Sequence, residues 1–293
     1  MNRHIQLACR AIMAILKHPI VFAKYVAGFE FFEKGRRFGA SAHELEKLPA
    51  TAIGENPLVS YYLNQPHAGM TKWIHYLDAF KPHFEELRDH REMIRILEIG
   101  VFAGGSLDMY QDFFSNQKLQ IVGVDISEDC RKFAREGIEI EIGDQEDPEF
   151  WQGFLGRHAP FDIIIDDGGH SAEQQVVTIE CLFRHLNPGG LYVVEDVAAS
   201  NRFSDFMGGL IRALHARQPN SRGTVEPSPL QSGLLRIEVI PYAFLLRKRE
   251  RDAIPQDFAC PWVGTSWTAA AREVFRASNP DRDPPIWQAA SRS

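Results

Sequence analysis

Acidic residues and one histidine stand at the ends of two apolar runs in the middle of the chain. Residues 163–170 read Ile-Ile-Ile-Asp-Asp-Gly-Gly-His, and Glu195 and Asp196 follow the apolar run 191–194. Buried strands have no structural use for unpaired charge, so carboxylates at strand ends indicate a reaction centre. A divalent metal ion with oxygen ligands would account for the carboxylates, and a base beside it would account for His170.

Short apolar runs that alternate with helical stretches must position these residues. The runs are rich in β-branched residues, and their alternation with helices is typical of a parallel sheet with right-handed crossovers. The segment 234–248, interrupted at Pro241-Tyr242, predicts a final hairpin. The predicted fold class is therefore α/β, with a doubly wound, mostly parallel, seven-stranded Rossmann-like sheet. The first five predicted strands contain residues 96–99, 120–124, 138–140, 161–165 and 191–194.

Changes in composition divide the chain into three parts. Residues 1–92 are rich in aromatic side chains at helical spacing and predict an N-terminal helical extension that caps the site. Residues 93–250 carry the alternating strands and helices and predict the main domain. Residues 251–293 are rich in Pro, Arg and Asp and form a C-terminal tail with no readable role.

Composition and charge exclude some classes of protein. A chain of 293 residues with 44% hydrophobic content can bury a full α/β core. The 32 basic and 39 acidic residues are scattered along the chain, which argues against nucleic acid as a partner. The 4 cysteines lie far apart without metal-ligand spacing, so they predict reduced thiols and a cytoplasmic location.

The segment from Ile5 to Val26 is apolar, but two lysines, a histidine and a proline interrupt it. A membrane-spanning helix needs about 20 largely uninterrupted apolar residues. We therefore predict a helix that packs on its own protein or on a neighbouring subunit, and we expect a homo-oligomer. Peripheral membrane contact through this helix stays open as the lesser alternative, because basic residues interleave with apolar ones.

The turn after the first predicted strand has the features of a nucleotide site. Residues 97–106 read Leu-Glu-Ile-Gly-Val-Phe-Ala-Gly-Gly-Ser, and glycines between a strand and a helix let a ligand approach the backbone. Phe102 breaks the G-x-G-x-x-G pattern of dinucleotide-binding turns, which disfavours a dehydrogenase. Asp125, at the end of the second strand, is placed to accept hydrogen bonds from ribose hydroxyl groups. The predicted cofactor contacts in this region are Gly100, Gly104, Ser106 and Asp125.

The spacing of this turn resembles motif I of the class I S-adenosylmethionine-dependent methyltransferases. The resemblance implies that S-adenosyl-L-methionine is the cofactor and that Glu98 lies near it and supports the loop. It also implies that Asp144 and Gln145, after the third strand, lie where the adenine amino group binds.

Asp-Asp-Gly-Gly-His after the fourth strand and Glu-Asp after the fifth resemble the Mg²⁺-dependent sugar O-methyltransferases, in particular the macrolide and rhamnosyl enzymes. The similarity covers roughly residues 70–248. It implies that His170 is the general base and that Asp166 lies on the cofactor side. The implied Mg²⁺ ligands are Asp167, Glu195 and Asp196. Related sequences tend to follow the Glu-Asp pair with Thr and an aromatic residue, whereas this chain has Val197-Ala198, so we expect a different acceptor pocket.

Several of these residues also have purely structural interpretations. Glu98 and His170 are alternatively helix-capping residues, His170 for the helix that begins near Ser171. Asp196 is alternatively the partner of Arg202 in an ion pair. Two further histidines, His75 and His83, lie on an aromatic amphipathic face and are expected to pack rather than to catalyse.

The sequence therefore predicts a metal-dependent O-methyltransferase that acts on a sugar hydroxyl of a glycoside, natural product or cell-surface glycan. One alternative is an O-methyltransferase that acts on a catechol-like vicinal diol, which needs the same metal chemistry but a flat aromatic pocket. The other is a non-catalytic, methyltransferase-like scaffold subunit. Intact His170 and three candidate ligands count against the scaffold, because a scaffold would tolerate their loss.

Overall fold

The computed structural model describes residues 19–41, 56–64, 69–198, 202–216, 226–252, 254 and 258. The chain separates into two compact units, Met1–Gly54 and Glu55–Ser293. In these described ranges, none of the helices combines the length and the apolar character that crossing a bilayer requires. The predicted apolar helix falls partly outside the described residues, because the structure describes the chain only from Pro19 onward.

The first unit contains helix α1 (Pro19–Ser41). Four of its phenylalanines, Phe29, Phe31, Phe32 and Phe38, are exposed. Glu30 and Lys34 form an ion pair on the same helix, with 2.7 Å between the lysine Nζ and a carboxylate oxygen. A helix with this many exposed rings has apolar surface that could be covered by another molecule.

Within the described residues, the second unit is built on one sheet. Its strands are β1 (Met93–Ile99), β2 (Lys118–Asp125), β3 (Ile138–Ile142), β4 (Phe161–Asp166), β5 (Leu186–Val194), β6 (Leu234–Ile240) and β7 (Ala243–Lys248). Their order in the sheet is β3-β2-β1-β4-β5-β7-β6. Strands β1 to β5 pair in parallel, and β7 pairs antiparallel with both β5 and β6. This confirms the predicted doubly wound, mostly parallel, seven-stranded α/β class.

Helices cover both faces of the sheet, because successive side chains of a buried strand point to opposite faces. In β1, Ile94 and Ile96 belong to one hydrophobic core, whereas Leu97 and Ile99 belong to the other. The helices of this unit are α2 (Pro57–Asn64), α3 (Ile74–His90), α4 (Gly105–Phe113), α5 (Pro148–Leu155), α6 (Ala172–Leu182), α7 (Phe203–Leu214) and α8 (Pro229–Gly233), with short 3₁₀ helices at Glu128–Phe133 and Phe183–His185.

The predicted N-terminal extension, residues 1–92, is divided by this structure. Helices α2 and α3 share a hydrophobic core with the sheet, and Leu58, Tyr76, Phe80 and Phe84 in these helices are fully buried. The rings of Phe80 and Phe84 stack with 5.8 Å between their centroids. The part up to Gly54 belongs to the first unit. A capping role for the extension therefore stays a prediction.

The neighbours β1 and β4 form the point at which the direction of winding reverses, since β2 and β3 lie on one side and β5 on the other. In sheets of this type, ligands bind in the crevice at the carboxyl ends of the strands near that point. The loops after β1 to β5 all begin at this edge. Of the predicted C-terminal tail, residues 251, 252, 254 and 258 alone fall within the described ranges.

Candidate active site

A cleft of about 640 Å³ opens at the carboxyl edge of the sheet. It joins the loops that carry the predicted cofactor residues to those that carry the predicted metal site. Four other predicted residues, Glu98, Gly104, Asp166 and Glu195, are buried and do not form its surface. The residues that line the cleft include Lys72, Gly100, Ser106, Asp125, Asp144, Gln145, Asp167, His170 and Asp196.

The turn after β1 is glycine-dependent at two positions. Gly100 has a φ of +92°, and a Cβ atom there would stand 2.1 Å from the carbonyl oxygen of Asp167. The amide of Asp167 also donates to the carbonyl of Ile99 at 2.9 Å, so the ends of β1 and β4 lie in direct contact. Gly104, with a φ of +80°, is the N-cap of α4, and a Cβ atom there would stand 2.7 Å from the ring of Phe133. Only glycine tolerates both the φ values and the contacts.

Asp125 organises the loops around the cleft. Its Oδ2 accepts hydrogen bonds from the amides of Val101 and Phe102 at 2.9 and 3.0 Å, and its Oδ1 accepts one from the amide of Ser127 at 2.8 Å. A carboxylate has about four acceptor positions, so it retains capacity for a hydroxyl donor from the cleft. Asp144 is exposed in the same cleft, and its Oδ1 accepts from the amide of Glu146 at 2.9 Å.

Gln145 and Asp166 are bonded to each other. The Gln145 side chain donates from Nε2 to Asp166 Oδ1 at 3.1 Å and accepts at Oε1 from the amide of Gly169 at 2.6 Å. Burial raises the pKa of Asp166 to about 6. These contacts join the loops after β3 and β4, and a direct contact of either side chain with the cofactor stays a prediction.

Glu98 joins β1 to the first turns of α4. Ser106 Oγ donates to its Oε2 at 2.8 Å, and the hydroxyl of Tyr110 donates to its Oε1 at 3.2 Å. The carboxyl group is fully buried, and this burial raises its pKa to about 7. The N-cap of α4 is Gly104, so Glu98 supports the loop through Ser106 rather than by capping the helix.

The structure brings Asp167, His170 and Asp196 together. One side-chain ligand atom from each lies within 4.8 Å of the others. The closest approach of the histidine Nε2 to an oxygen of Asp196 is 3.9 Å. Ser171, not His170, is the N-cap of α6, where it forms a capping box with Gln174. The imidazole therefore belongs to this cluster rather than to the helix end.

Glu195 and Asp167 both form ion pairs with the buried ammonium group of Lys72. The Nζ atom of Lys72 lies 2.7 Å from Asp167 Oδ2 and 2.8 Å from Glu195 Oε1. Burial lowers the pKa of Lys72, but Glu195 and Asp167 raise it well above its ordinary value, so the amine is charged. The third predicted ligand is thus linked to the cluster through Lys72, because one of its oxygens is engaged by the ammonium group.

The backbone is strained where these side chains meet. The described non-glycine residues with a positive φ are Phe102, His170, Asp196 and Tyr242, with values of 50°, 59°, 53° and 65°. Such conformations are unfavourable for L-residues and persist where the surrounding structure enforces them, which is often at functional sites. Strain at both His170 and Asp196 indicates that their positions are closely determined.

Functional residues from the start of α3 were not found from the sequence. Trp73 Nε1 and the Tyr76 hydroxyl donate to Asp196 Oδ1 at 3.2 and 3.0 Å, and the Asp196 amide donates back to the Tyr76 oxygen at 3.2 Å. The Tyr76 hydroxyl also lies 3.0 Å from the carbonyl oxygen of Tyr242. A lysine and a tryptophan just before a helix are the signal in the sequence for Lys72 and Trp73. That signal is weak, because their partners lie about a hundred residues away.

Comparisons with known proteins agree with this geometry. Residues 97–197 match the family model described as "Methyltransferase domain". The match agrees with the sheet order and the glycine turn, which were predicted for a methyltransferase domain of class I.

Within that class, the chain is similar to sugar O-methyltransferases. It is 40% identical over 151 residues to the demethylmacrocin O-methyltransferase of Streptomyces fradiae, and the alignment covers 48% of this chain and 36% of the relative. It is 38% identical over 165 residues to the 8-demethyl-8-alpha-L-rhamnosyl tetracenomycin-C 2'-O-methyltransferase of Streptomyces olivaceus, and that alignment covers 53% of this chain and 42% of the relative. The chain therefore spans less than half the length of these curated relatives.

A solved structure shares the fold. The MycE methyltransferase from the mycinamycin biosynthetic pathway, in complex with Mg, SAH and mycinamycin VI, aligns with a TM-score of 0.56 and 27% sequence identity. The alignment covers 76% of this chain and 59% of that protein.

Proposed function

We propose that this chain is a metal-dependent O-methyltransferase that transfers the methyl group of S-adenosylmethionine to a hydroxyl group of a glycoside. The observation that carries the proposal is the cleft that Gly100, Asp125, Asp167, His170 and Asp196 line together. A cofactor held at the first two residues would present its methyl group toward a cluster of carboxylates and imidazole. Methyl transfer to oxygen needs that adjacency.

The cofactor would lie on the turn after β1. The glycine turn lets the ligand approach the backbone, and the N-terminus of α4 follows directly. Asp125 would accept hydrogen bonds from the ribose hydroxyls, and Asp144, which is exposed in the same cleft, would bind the adenine amino group. Glu98 would act indirectly, because its carboxyl group fixes the Ser106 hydroxyl at the cleft wall.

The donor set of the cluster fits a hard divalent cation. Asp167 and Asp196 offer carboxylate oxygens within 4.8 Å of each other, and Mg²⁺ prefers oxygen ligands while it keeps positions for substrate. Glu195 contributes a further carboxylate, whose charge Lys72 partly neutralises. When bound, such an ion would lower the pKa of an acceptor hydroxyl and orient it.

His170 would accept the proton of the acceptor hydroxyl. Its imidazole is partly exposed beside Asp196, and imidazole is the side chain that most often serves as a general base. As the proton moves to the ring nitrogen, the oxygen attacks the methyl carbon and the carbon–sulfur bond breaks. The electron pair of that bond stays on sulfur, so the sulfonium becomes a neutral thioether.

The names of the relatives support a glycoside acceptor. Their named substrates are demethylmacrocin and rhamnosyl tetracenomycin C, and the MycE complex holds mycinamycin VI. A sugar with neighbouring hydroxyls could present two oxygens to the cluster at once. Since the chain covers only part of these relatives, their substrates are not assigned to it, and the acceptor class is a proposal.

Titration calorimetry followed by a transfer assay tests the proposal. S-adenosylmethionine and Mg²⁺ are titrated into wild type, His170→Ala and Asp167→Asn, and methyl transfer to a panel of glycosides and to catechol is then measured. We expect cofactor binding in all three proteins, weaker Mg²⁺ binding in Asp167→Asn, and loss of transfer in both variants. Wild type that binds no S-adenosylmethionine would refute the proposal, and transfer to catechol alone would replace the glycoside with an aromatic diol.

We also propose that the chain forms a homo-oligomer through α1. Phe31 and Phe38 are 72% and 77% exposed, which is a large apolar surface for one helix. Size-exclusion chromatography of Phe31→Glu/Phe38→Glu should show a smaller species than wild type. Arg37→Glu is the control, since it places a glutamate on the same helix without removing a ring. A wild type that elutes as a monomer would refute the oligomer and would leave peripheral binding to vesicles as the alternative to test.

A cytoplasmic location is likewise a proposal. The described cysteines Cys130 and Cys181 are free thiols, as expected for a reducing compartment. Fractionation of cells that express the full-length protein would test it, and recovery outside the cytoplasm would contradict it.

A further inference from the structure

Three aromatic rings stand beside the candidate metal cluster and have no role in the proposed reaction. They are Trp73, just before α3, His75 in its first turn, and Tyr242 at the tip of the β6–β7 hairpin. Their ring centroids lie 5.2 to 6.3 Å apart. We call these three residues the aromatic rim.

The aromatic rim is exposed although its neighbours are buried. Trp73 and Tyr242 are 52% and 51% exposed, whereas Tyr76 and Phe80, farther along α3, are fully buried. Large aromatic rings are normally buried in a core, so two adjacent rings left in solvent next to a reaction centre indicate a surface for a ligand.

The aromatic rim is held in place by specific contacts. Trp73 Nε1 donates to Asp196 Oδ1 at 3.2 Å, which ties the indole to the candidate cluster. His75 Nε2 lies 2.9 Å from the carbonyl oxygen of Pro241, which ties the start of α3 to the hairpin. The carbonyl oxygen of Tyr242 accepts from the amide of Val197 at 2.8 Å, and the hydroxyl oxygen of Tyr76 lies 3.0 Å from it. The rings of Trp73 and His75 and the backbone of Tyr242 are therefore preorganised, which reduces the cost of ordering the rim around a ligand.

The chemistry of the rim suits a sugar ring. Aromatic faces carry partial negative charge, and the C–H groups on one face of a pyranose carry partial positive charge. The hydroxyl groups lie around the edge of the pyranose, so a ring that stacks on the rim can still direct hydroxyls to Asp196. The stacking surface lies close to that carboxylate, since the indole N–H of Trp73 donates a hydrogen bond to Asp196.

We propose that the aromatic rim is the acceptor subsite, where the pyranose ring of the glycoside stacks on Trp73 and Tyr242 while its hydroxyls face Asp196. This inference rests on the proposed function, because it concerns the acceptor of that reaction. It assigns acceptor affinity to residues that lie outside the loops after β1, β2 and β3.

The test measures acceptor binding separately from turnover. Methyl α-L-rhamnopyranoside and methyl α-D-glucopyranoside are titrated into the protein with S-adenosylhomocysteine and Mg²⁺ present, and kcat and KM are measured with S-adenosylmethionine. Variants are Trp73→Leu, Tyr242→Leu and Trp73→Phe, with Phe38→Leu on α1 as the exposed-aromatic control.

We expect Trp73→Leu and Tyr242→Leu to raise the Kd and KM of the glycosides about tenfold, with kcat much less affected. The Kd of S-adenosylmethionine should stay within about twofold in every variant, which also shows that the variants are folded. Trp73→Phe keeps a ring but loses the N–H, so its glycoside affinity should stay within about threefold of wild type. Phe38→Leu should match wild type.

Equal glycoside affinity in wild type, Trp73→Leu and Tyr242→Leu would overturn the subsite, even if the wild type transfers methyl groups to glycosides. Absence of glycoside binding by wild type would overturn it as well. Wild type that binds glycosides through the rim but transfers no methyl group would refute the proposed function and retain the rim.

Discussion

The two halves of the cleft are built in different ways. The cofactor half lies in the loops after β1, β2 and β3, and part of its bonding is local, as in Asp125 to the Ser127 amide and Asp144 to the Glu146 amide. The transfer half is assembled by side chains from distant segments: Lys72 reaches Asp167 across 95 residues and Glu195 across 123. Its backbone is also strained at His170 and Asp196.

Substitutions in the two halves should therefore differ in whether they lower ligand affinity alone or the stability of the fold as well. A side chain of the cofactor half contributes to a loop that its own backbone already shapes, so its removal should cost ligand affinity first. A side chain of the transfer half holds together segments that nothing local connects, so its removal should cost stability as well.

Gly100→Ala is expected to disrupt both halves of the cleft, because Gly100 lies in the turn after β1 and packs against the backbone of Asp167. A Cβ atom would stand 2.1 Å from the Asp167 carbonyl oxygen, and the backbone φ of +92° disfavours alanine. We expect a loss of stability of about 4 kcal/mol, together with loss of both cofactor and metal binding. Urea denaturation and calorimetry would measure these effects.

Gly209→Ala is the matched control for that variant. Gly209 lies in α7, and a Cβ atom there would meet nothing within 4 Å, so alanine should raise the free energy of unfolding by up to about 1 kcal/mol. A Gly100→Ala protein as stable as wild type would show that the two halves are not in the close contact described.

Lys72→Met tests whether a side chain of the transfer half stabilises the fold. It leaves Asp167 and Glu195 buried or half-buried without their shared cation, and we expect a loss of about 3 kcal/mol in the free energy of unfolding. Cofactor affinity should change little. Added Mg²⁺ should raise the melting temperature of this variant more than that of wild type, because a cation replaces the lost positive charge.

Lys81→Met is the control, since Lys81 forms a surface ion pair with Glu85 on α3 at 3.9 Å. Its loss should change stability by no more than about 0.5 kcal/mol. If Lys72→Met unfolds at the same urea concentration as this control, Lys72 does not stabilise the transfer half.

Asp125→Asn tests whether a side chain of the cofactor half contributes mainly to cofactor affinity. The amide loses the charge and one of two acceptor oxygens, while backbone donors at Val101, Phe102 and Ser127 still hold the loop near its position. We expect S-adenosylmethionine to bind about thirtyfold more weakly, with Mg²⁺ binding unchanged. Asp129→Asn removes a charge from the same cleft and controls for a general electrostatic effect; an equal loss there would deny Asp125 a specific role.

Glu98→Gln tests the buried carboxyl group of Glu98 through the pH dependence of protein stability. Burial raises the pKa of Glu98 from 4.5 to about 7, so the folded protein holds this proton more tightly than the unfolded chain. The resulting stabilisation is fully present below about pH 4.5 and is lost as the pH rises through about 7. Glutamine does not titrate, so the variant should lack this part of the pH dependence.

Urea denaturation at several pH values would measure it. Between about pH 5 and pH 7 the wild type should lose on the order of 2 kcal/mol relative to Glu98→Gln. Parallel stability curves for the two proteins would contradict a raised pKa at Glu98.

Much of the sheet and of the cofactor half could be predicted from the sequence, because their signals are local. Short β-branched runs mark strands, and the glycine turn and Asp125 follow directly from strand ends. Parallel pairing then brings Asp167, His170 and Asp196 to one edge, because the carboxyl ends of parallel strands meet there. No long-range information is needed for these steps.

Other assignments needed the structure. One is the hydrogen bond that Gln145 donates to Asp166, the last residue of β4; Asp167, which follows the strand, lines the cleft instead. Lys72, Trp73 and Tyr76 read as the start of an amphipathic helix, and helical spacing does not reveal a contact with a loop about 120 residues away. The same limit hid the shared cation at Glu195.

The β6–β7 hairpin carries a consequence for how such a protein can change its preference. Strand β7 pairs with both β5 and β6, whereas the two-residue tip, Pro241-Tyr242, supplies one ring of the aromatic rim and the carbonyl oxygen that His75 contacts. Side-chain substitutions at the tip should leave the ladder and the cofactor loops unaltered, because neither tip residue belongs to a paired strand. If the rim is the acceptor subsite proposed above, the hairpin is an exchangeable part, and substitutions at its tip would change acceptor choice while the loops with the predicted cofactor residues stay the same.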